Sequence, residues 1–131
     1  MPADYKAADH CMIPFQSNAA IAANSTLYVG TGNTPQGNPN WGSVRVPYAG
    51  ILRNMYCRAS GAPGVGETYD YQVFVNGVGT IILSQTAGAA LESEDLVNQV
   101  AVAAGDYVCI EVITSLNATV QLHSIGIELH G

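Results

Sequence analysis

Residues 69–83 carry a strong β-hairpin signal. Residues 69–75 are rich in aromatic and β-branched side chains, and residues 78–83 form a second apolar run. Asn76 and Gly77 stand between the two runs. A two-residue hairpin turn needs positive φ at both central positions, which Asn and Gly tolerate best. The pattern therefore predicts two antiparallel strands joined by a tight turn.

The period of two continues downstream of this hairpin. Residues 97–102 and 107–114 are strand-like, and a turn at 103–106 separates them. We expect the second run to lie back against the first. On it Val108 shares one face with the other even-numbered aliphatic residues, while Cys109 and Glu111 share the opposite face. The charge of Glu111 predicts that this opposite face is the wetter one.

Two further strands are expected upstream of the hairpin, over residues 42–48 and 51–59. In the second of these, Ile51, Met55 and Cys57 share a parity and are predicted to face the core. Short edge strands are expected nearer the N-terminus, at 12–16 and 26–29.

The last strand is expected over residues 119–129, and its apolar parity changes around His123 and Ser124, which predicts a β-bulge or bend there. Residues 89–98 form either one helical turn or an acidic loop. The total is about seven to nine short strands with frequent turns, which is typical of an antiparallel sandwich or barrel.

Charge narrows the classes of partner. The net charge is −6, and charged residues are only 11% of the chain. Residues 59–131 hold eight acidic and no basic residues. Nucleic acids and anionic membranes need clustered Lys and Arg, so both are disfavoured as partners. A surface with so few charges is often covered by another subunit, which favours oligomerisation.

No residue pattern predicts catalysis, a metal or a cofactor. The cysteines are odd in number and widely spaced, and we expect free thiols within the core. The histidines are too dispersed for metal ligation. Glu92, Glu94 and Asp95 form the densest acidic run, for which a solvated loop and a weak cation site both remain open. The cysteines are Cys11, Cys57 and Cys109, and the histidines are His10, His123 and His130.

The arginines suggest an interface. Arg45 and Arg58 are expected to face outward, and Arg53 lies on the same strand as Arg58. In an acidic protein such side chains can meet the acidic side of another copy or of a partner. Trp41 and Tyr48 are added as candidate interface aromatics, with Trp41 expected to cover an end of the sandwich.

Three stretches together resemble a known family. They read PYAGILRNMYC at 47–57, YQVFVNG at 71–77 and VAVAAGDYV at 100–108. These resemble the small trimeric jelly-roll proteins that decorate phage capsids, and they are similar to tumour-necrosis-factor-like trimeric domains. The resemblance implies an all-β antiparallel sandwich of jelly-roll type with about eight strands. It also implies an N-terminal arm or edge strand over 1–20 and a jelly-roll domain over 21–131.

The resemblance implies a function as well. It predicts a homotrimeric capsid decoration, or cement, protein that assembles in the host cytoplasm, binds the major capsid protein on the outside of the head and stabilises the virion. A chain of this length without a stalk suits such a role. The alternative is a fibre-tip or receptor-binding module that binds carbohydrate, with sugar stacking by Trp41, Tyr48, Tyr69 and Tyr71.

Overall fold

The regular structure consists of β-strands. The structure, a computed structural model, describes residues 10–32 and 34–131. Across these residues no helix is long and apolar enough to span a bilayer. The strands are β1 (His10–Gln16), β2 (Thr26–Val29), β3 (Val44–Arg45), β4 (Gly50–Ala59), β5 (Gly64–Val75), β6 (Val78–Gly88), β7 (Glu92–Asp95), β8 (Val100–Val102), β9 (Tyr107–Thr114) and β10 (His123–His130).

The strands form two antiparallel sheets. The first sheet has the order β1-β10-β4-β7, with β8 also paired to β4. The second has the order β2-β9-β5-β6, with β3 also paired to β9. Since β2 and β3 share one neighbour, and β7 and β8 share another, each sheet has four strand positions. The chain crosses repeatedly between the sheets, and the predicted jelly-roll sandwich of about eight strands is confirmed.

The core lies between the sheets and follows the alternation of the strands. Val108, Ile110 and Val112 of β9 are fully buried, as predicted. They face a matching row from β10, whose odd-numbered residues 123–129 all point inward. Burying each such aliphatic side chain stabilises the fold by about 1.5–3 kcal/mol. The Asn76-Gly77 turn joins β5 to β6 with φ values of 52° and 79°, as the hairpin signal predicted.

The bulge in the first sheet lies in a different strand from the one predicted. Between Arg53 and Tyr56 of β4 the register with β10 shifts by one residue. Asn54 has a φ of 54° there, and it lets the strand accommodate the extra residue. The inward parity consequently changes from Leu52 to Met55, so the prediction of Ile51 as an inward residue was wrong. The last strand begins at His123 and not at residue 119, and its pairing with β1 and β4 shows no register shift around His123 and Ser124.

Three local predictions were also wrong because the pairings are not local. Strands β8 and β9 lie in different sheets, so they do not form a hairpin. Residues 89–98 contain neither a helical turn nor only a loop, because β7 pairs with β4 there. The strand predicted at 42–48 is reduced to the two residues of β3.

The N-terminal segment predicted as an arm or edge strand divides into two parts. Residues 1–9 lie outside the described residues. Residues 10–16 form β1, which pairs along β10 at the edge of the first sheet. Phe15 is fully buried, so this strand contributes to the core.

The outer face of β9 is covered, although it was expected to be wet. Cys109 and Glu111 are 1% and 8% exposed. The hydroxyl of Tyr28 donates a hydrogen bond to Oε2 of Glu111 at 3.1 Å, and the Tyr28 ring packs edge-on against Phe74 at 5.3 Å. The loop after β2 then pairs back on Tyr28 through Gln36. This long-range contact buries a face that sequence alone marks as polar.

Candidate functional site

The arginines predicted to form an interface lie on two sheets. Arg53 and Arg58 project from β4 on the first sheet, whereas Arg45 lies on β3 of the second. Arg53 pairs with Glu128 at 3.0 Å, and Arg58 pairs with Glu92. Arg45 lies 6.0 Å from the centroid of the Tyr107 ring. The structure therefore brings no three arginines together, and two of them are neutralised by carboxylates of their own sheet.

The candidate aromatics differ in exposure. Trp41 is 72% exposed, so it does not cover an end of the sandwich. Tyr48 is half-buried and packs against the core. Tyr69 and Tyr71 are fully buried, which makes them unable to stack on a sugar. The sugar site suggested by sequence is wrong for these two tyrosines.

The two buried tyrosines surround a buried histidine. His123 is 1% exposed, and its Nδ1 lies 2.7 Å from the hydroxyl of Tyr71. The Tyr69 ring packs edge-on against the imidazole at 4.6 Å. Burial lowers the pKa of His123 to about 4, so the ring is neutral at pH 7. Its Nε2 has no hydrogen-bond partner among the described residues.

A chain of small polar side chains lies near Tyr71. The Cys57 thiol lies 3.3 Å from the Ser84 hydroxyl, which is 2.9 Å from the Ser93 hydroxyl. Thr86 donates to Ser93 at 2.8 Å. Burial raises the pKa of Cys57 to about 12, which leaves it protonated at neutral pH. A protonated thiol is a poor nucleophile, so this chain of hydroxyls ties strands together and does not activate the cysteine.

The acidic run does not converge on one point. Glu92 and Glu94 face outward from β7, while Asp95 points inward. Asp95 accepts hydrogen bonds from the backbone N–H groups of Leu83, Val97 and Asn98 and from the Asn98 side chain, at 3.0–3.1 Å. Burial alone would raise its pKa, but these bonds outweigh it and lower the pKa. Within the described ranges no three His, Cys, Asp or Glu residues are grouped as metal ligands.

One edge of the sandwich is apolar and uncharged. The β6 strand forms the edge of the second sheet and contains no ionisable residue. Ile81 and Leu83 of this strand are 60% and 55% exposed, and Leu96 and Val97 after β7 are also exposed. The Asp95 carboxylate binds the N–H groups of both Leu83 and Val97, which places the two segments side by side. We call these four side chains the edge patch.

An open groove crosses the outer face of the first sheet. It has a volume of about 540 Å³ and lies over β7, β4 and β10. The pairing register places Tyr56 between Glu94 and Gly126, and Arg58 between Glu92 and Ser124. The outward parity of Tyr56 and Arg58 was readable from sequence. Their neighbours were not, because β10 is distant in the chain.

Comparison with known proteins gives distant similarity to three solved structures, each at a TM-score below 0.5. No family model matches the sequence, and no curated protein matches it. The chain is similar to a family 35 carbohydrate-binding module from Clostridium thermocellum, at 13% identity over 94% of each chain and a TM-score of 0.44. It is also similar to the structure of the empty head of turnip yellow mosaic virus, at 12% identity over 100% of this chain and 84% of the other, with a TM-score of 0.33.

A third solved structure, a Paenibacillus cycloisomaltooligosaccharide glucanotransferase, is 14% identical over 95% of this chain, with a TM-score of 0.39. The matched region covers only 18% of that enzyme. Similarities at this level do not indicate a shared function.

Proposed function

We propose that the protein is a structural component of a phage particle that forms homotrimers, binds the major capsid protein on the outside of the head and stabilises it. The observation that carries the proposal is the edge patch. The resemblance seen in sequence also supports it, because its three stretches form scaffold elements of the jelly roll. These are β4, the β5–β6 turn region, and β8 with the start of β9.

The edge patch is suited to contact between copies. Exposed edge strands are normally protected by charges, prolines or bulges, because their free backbone groups pair readily with another chain. The β6 strand has neither a charge nor a proline over 11 residues. Each copy carries a net charge of −6, so two copies repel over most of their surfaces. At the edge patch the exposed side chains are apolar, and the neighbouring Asp95 carboxylate is buried and accepts hydrogen bonds from its own chain.

We further propose that the protein acts without catalysis or a cofactor. The buried thiols are held protonated: burial raises the pKa of Cys57 to about 12 and that of Cys109 to about 11. His123 is enclosed by the core: its imidazole contacts the Tyr71 hydroxyl and the Tyr69 ring, and its backbone N–H donates a hydrogen bond to the Ser17 hydroxyl at 3.0 Å. A binding role fits a molecule whose Cys57, Cys109 and His123 side chains are buried in the core.

The oligomeric state tests the first part of the proposal. Light scattering should give three times the 13.7 kDa chain mass. Leu83→Lys places a charge in the edge patch and should produce monomers. Val120→Lys is the matched control, since Val120 is 56% exposed in a loop, and should remain trimeric. A wild-type monomer would overturn the trimer, and an unaffected Leu83→Lys trimer would place its contact elsewhere.

Binding to particles tests the second part. Purified protein added to phage heads that lack it should co-sediment with them and raise their thermal stability. Heads that neither bind the protein nor gain stability would contradict the decoration role. Electron microscopy of labelled native particles provides the decisive control, because label at fibre tips would favour the alternative receptor-binding role.

A further inference from the structure

The groove over β7, β4 and β10 has an aromatic surface at its centre. Tyr56 alternates with the buried residues Met55 and Cys57, and it is 48% exposed. Its neighbour on β10 is Gly126, which has no side chain to cover the ring. The Met12 side chain lies over Gly126, because its sulfur is 2.9 Å from the position that a Cβ on Gly126 would occupy. The surface next to Tyr56 on this side is therefore apolar as well.

Polar groups flank this apolar surface on both sides. Arg58 and Glu92 form an ion pair in which both side chains are 63% exposed. Ser124 lies next to Arg58 on β10. Glu94 on β7 pairs with Tyr56 through the strand ladder, and its side-chain carboxylate makes no hydrogen bond or ion pair with another described residue. The groove thus offers a guanidinium donor, a hydroxyl and carboxylate acceptors around one aromatic ring.

We propose that this groove binds a neutral saccharide. A pyranose has an apolar face of C–H groups and an equatorial ring of hydroxyls. The ring of Tyr56 can pack on that face, as amphipathic aromatic side chains do at interfaces. The Glu94 carboxylate can accept two hydrogen bonds from neighbouring hydroxyls, and Arg58 can donate to a ring or hydroxyl oxygen.

The charge of the groove selects against other ligands. Arg58 is compensated by Glu92, so Glu94 leaves a negative surplus in a protein that is already acidic. Phosphates and acidic sugars are repelled by such a surface. The groove is also open and partly polar, whereas sites for small apolar molecules are enclosed and mainly hydrophobic. An uncharged polyhydroxylated ligand satisfies both conditions.

The saccharide site is independent of the proposed trimer and capsid contacts. Its residues lie on the outer face of the first sheet and differ from the four side chains of the edge patch, which lie on β6 and in the segment that follows β7. A protein that binds no saccharide can still be trimeric and bind heads. Failure of one proposal is therefore distinguishable from failure of the other.

The test is a titration of the full chain followed by backbone amide NMR. The probes are maltose, cellobiose, lactose and di-N-acetylchitobiose, each raised to about 20 mM so that millimolar affinities are detected. We expect at least one probe to shift the amide signals of Tyr56, Arg58 and Gly126 in a saturable manner. Hexalysine serves as a cationic peptide probe under the same conditions.

Two variants and one control assign the binding to the groove. Tyr56→Ala should weaken binding by at least about tenfold, equivalent to the loss of one aromatic contact. Glu94→Gln should weaken it by about threefold to tenfold through the lost charged acceptor. Tyr107→Ala is the matched control, because Tyr107 is equally exposed, at 48%, on the second sheet, and it should bind as the wild type does.

Three outcomes overturn the proposal. The first is that no saccharide gives saturable shifts. The second is that Tyr56→Ala and Glu94→Gln, with their spectra showing an intact fold, bind as well as Tyr107→Ala. The third is that the groove responds to hexalysine and to no sugar, which would identify a cationic peptide as its ligand.

Discussion

The hydroxyl of Tyr71 lies 2.7 Å from Nδ1 of His123 in the interior between the two sheets. Tyr71 comes from β5 of the second sheet and His123 from β10 of the first, so this hydrogen bond links the two layers. Burial raises the pKa of Tyr71 and lowers that of His123, which keeps both groups neutral at pH 7. The two sheets are therefore joined by a hydrogen bond between neutral groups, and protonation of His123 would place an unfavourable charge in the core.

The first prediction concerns the effect of His123 on the pH dependence of stability. Between pH 6.5 and about 4 the unfolded chain protonates this histidine, whereas the folded protein does not. The unfolded state then binds more protons, so stability falls as the pH falls through this window, by roughly 3 kcal/mol in total. Urea unfolding at several pH values should show the loss in the wild type and a much smaller loss in His123→Gln.

The control for this experiment is Val120→Gln, which changes a 56% exposed side chain ahead of β10 without adding or removing a titrating group and should keep the wild-type pH dependence. Should His123→Gln fail to fold, NMR titration of the imidazole in the wild type gives the same answer. A pKa for His123 near the ordinary 6.5 would contradict the prediction.

Local sequence patterns predicted the parts of the fold that depend on local pairing. The Asn76-Gly77 hairpin and the inward row of Val108, Ile110 and Val112 are encoded by neighbouring residues, and both are present. The bulge at Asn54 was not predictable in this way. It depends on how β4 meets β10, about 70 residues further along the chain. Intrinsic preference only made Asn tolerable at a positive φ.

In the candidate sites too, local sequence predicts some features, and others depend on residues that are distant in the chain. Sequence parity places Tyr56 and Arg58 on an outer face, but only the register sets Gly126 beside the tyrosine. Tyr69 and Tyr71 follow a strand pattern in which either face is conceivable, and packing buries both. The burial of Glu111 likewise depends on Tyr28 and the loop that follows it, which no periodicity reveals.

The second prediction concerns Asp95, which joins the edges of the two sheets. Its carboxylate accepts four hydrogen bonds, one of them from Leu83 of β6. Asp95→Ala leaves these donors unsatisfied and should lower the free energy of unfolding by about 2–3 kcal/mol. Asp70→Ala is the control and should cost far less, because Asp70 accepts one exposed bond from Gln85.

The pH dependence provides a second measurement for Asp95. Hydrogen bonding holds its pKa below the ordinary 3.8, despite the opposing effect of burial. Its contribution is therefore present above that pH and is lost as the pH falls further. The difference between wild type and Asp95→Ala should shrink below pH 3.8. A difference that persists unchanged in acid would mean that the carboxylate charge does not stabilise the fold.

The third prediction concerns the thiols. Cys57 and Cys109 are buried, and their pKa values are raised to about 12 and about 11 by that burial. Thiolate is the reactive form, so both should be inert to Ellman's reagent at pH 8 in the folded protein. Cys11 is only half-buried and should react first. We expect one reactive thiol per native chain, none in Cys11→Ser, and full reaction after denaturation. Rapid labelling of Cys57 would show that the core opens easily.

The fourth prediction tests the closure of the loop that follows β2. A Cβ on Gly30 would lie 1.9 Å from the carbonyl oxygen of Gly42, and neither backbone can move without disturbing the loop base. Gly30→Ala should therefore lower the free energy of unfolding by about 3 kcal/mol, the cost of an unrelieved clash. Gly37→Ala, in the same loop, meets no atom within 4 Å and should be close to neutral in urea unfolding. Equal stability of the two variants would mean that Gly30 and Gly42 are not in contact in solution. A loss of stability in Gly30→Ala alone, together with faster labelling of Cys109, would show that this contact holds the loop after β2 against the outer face of β9.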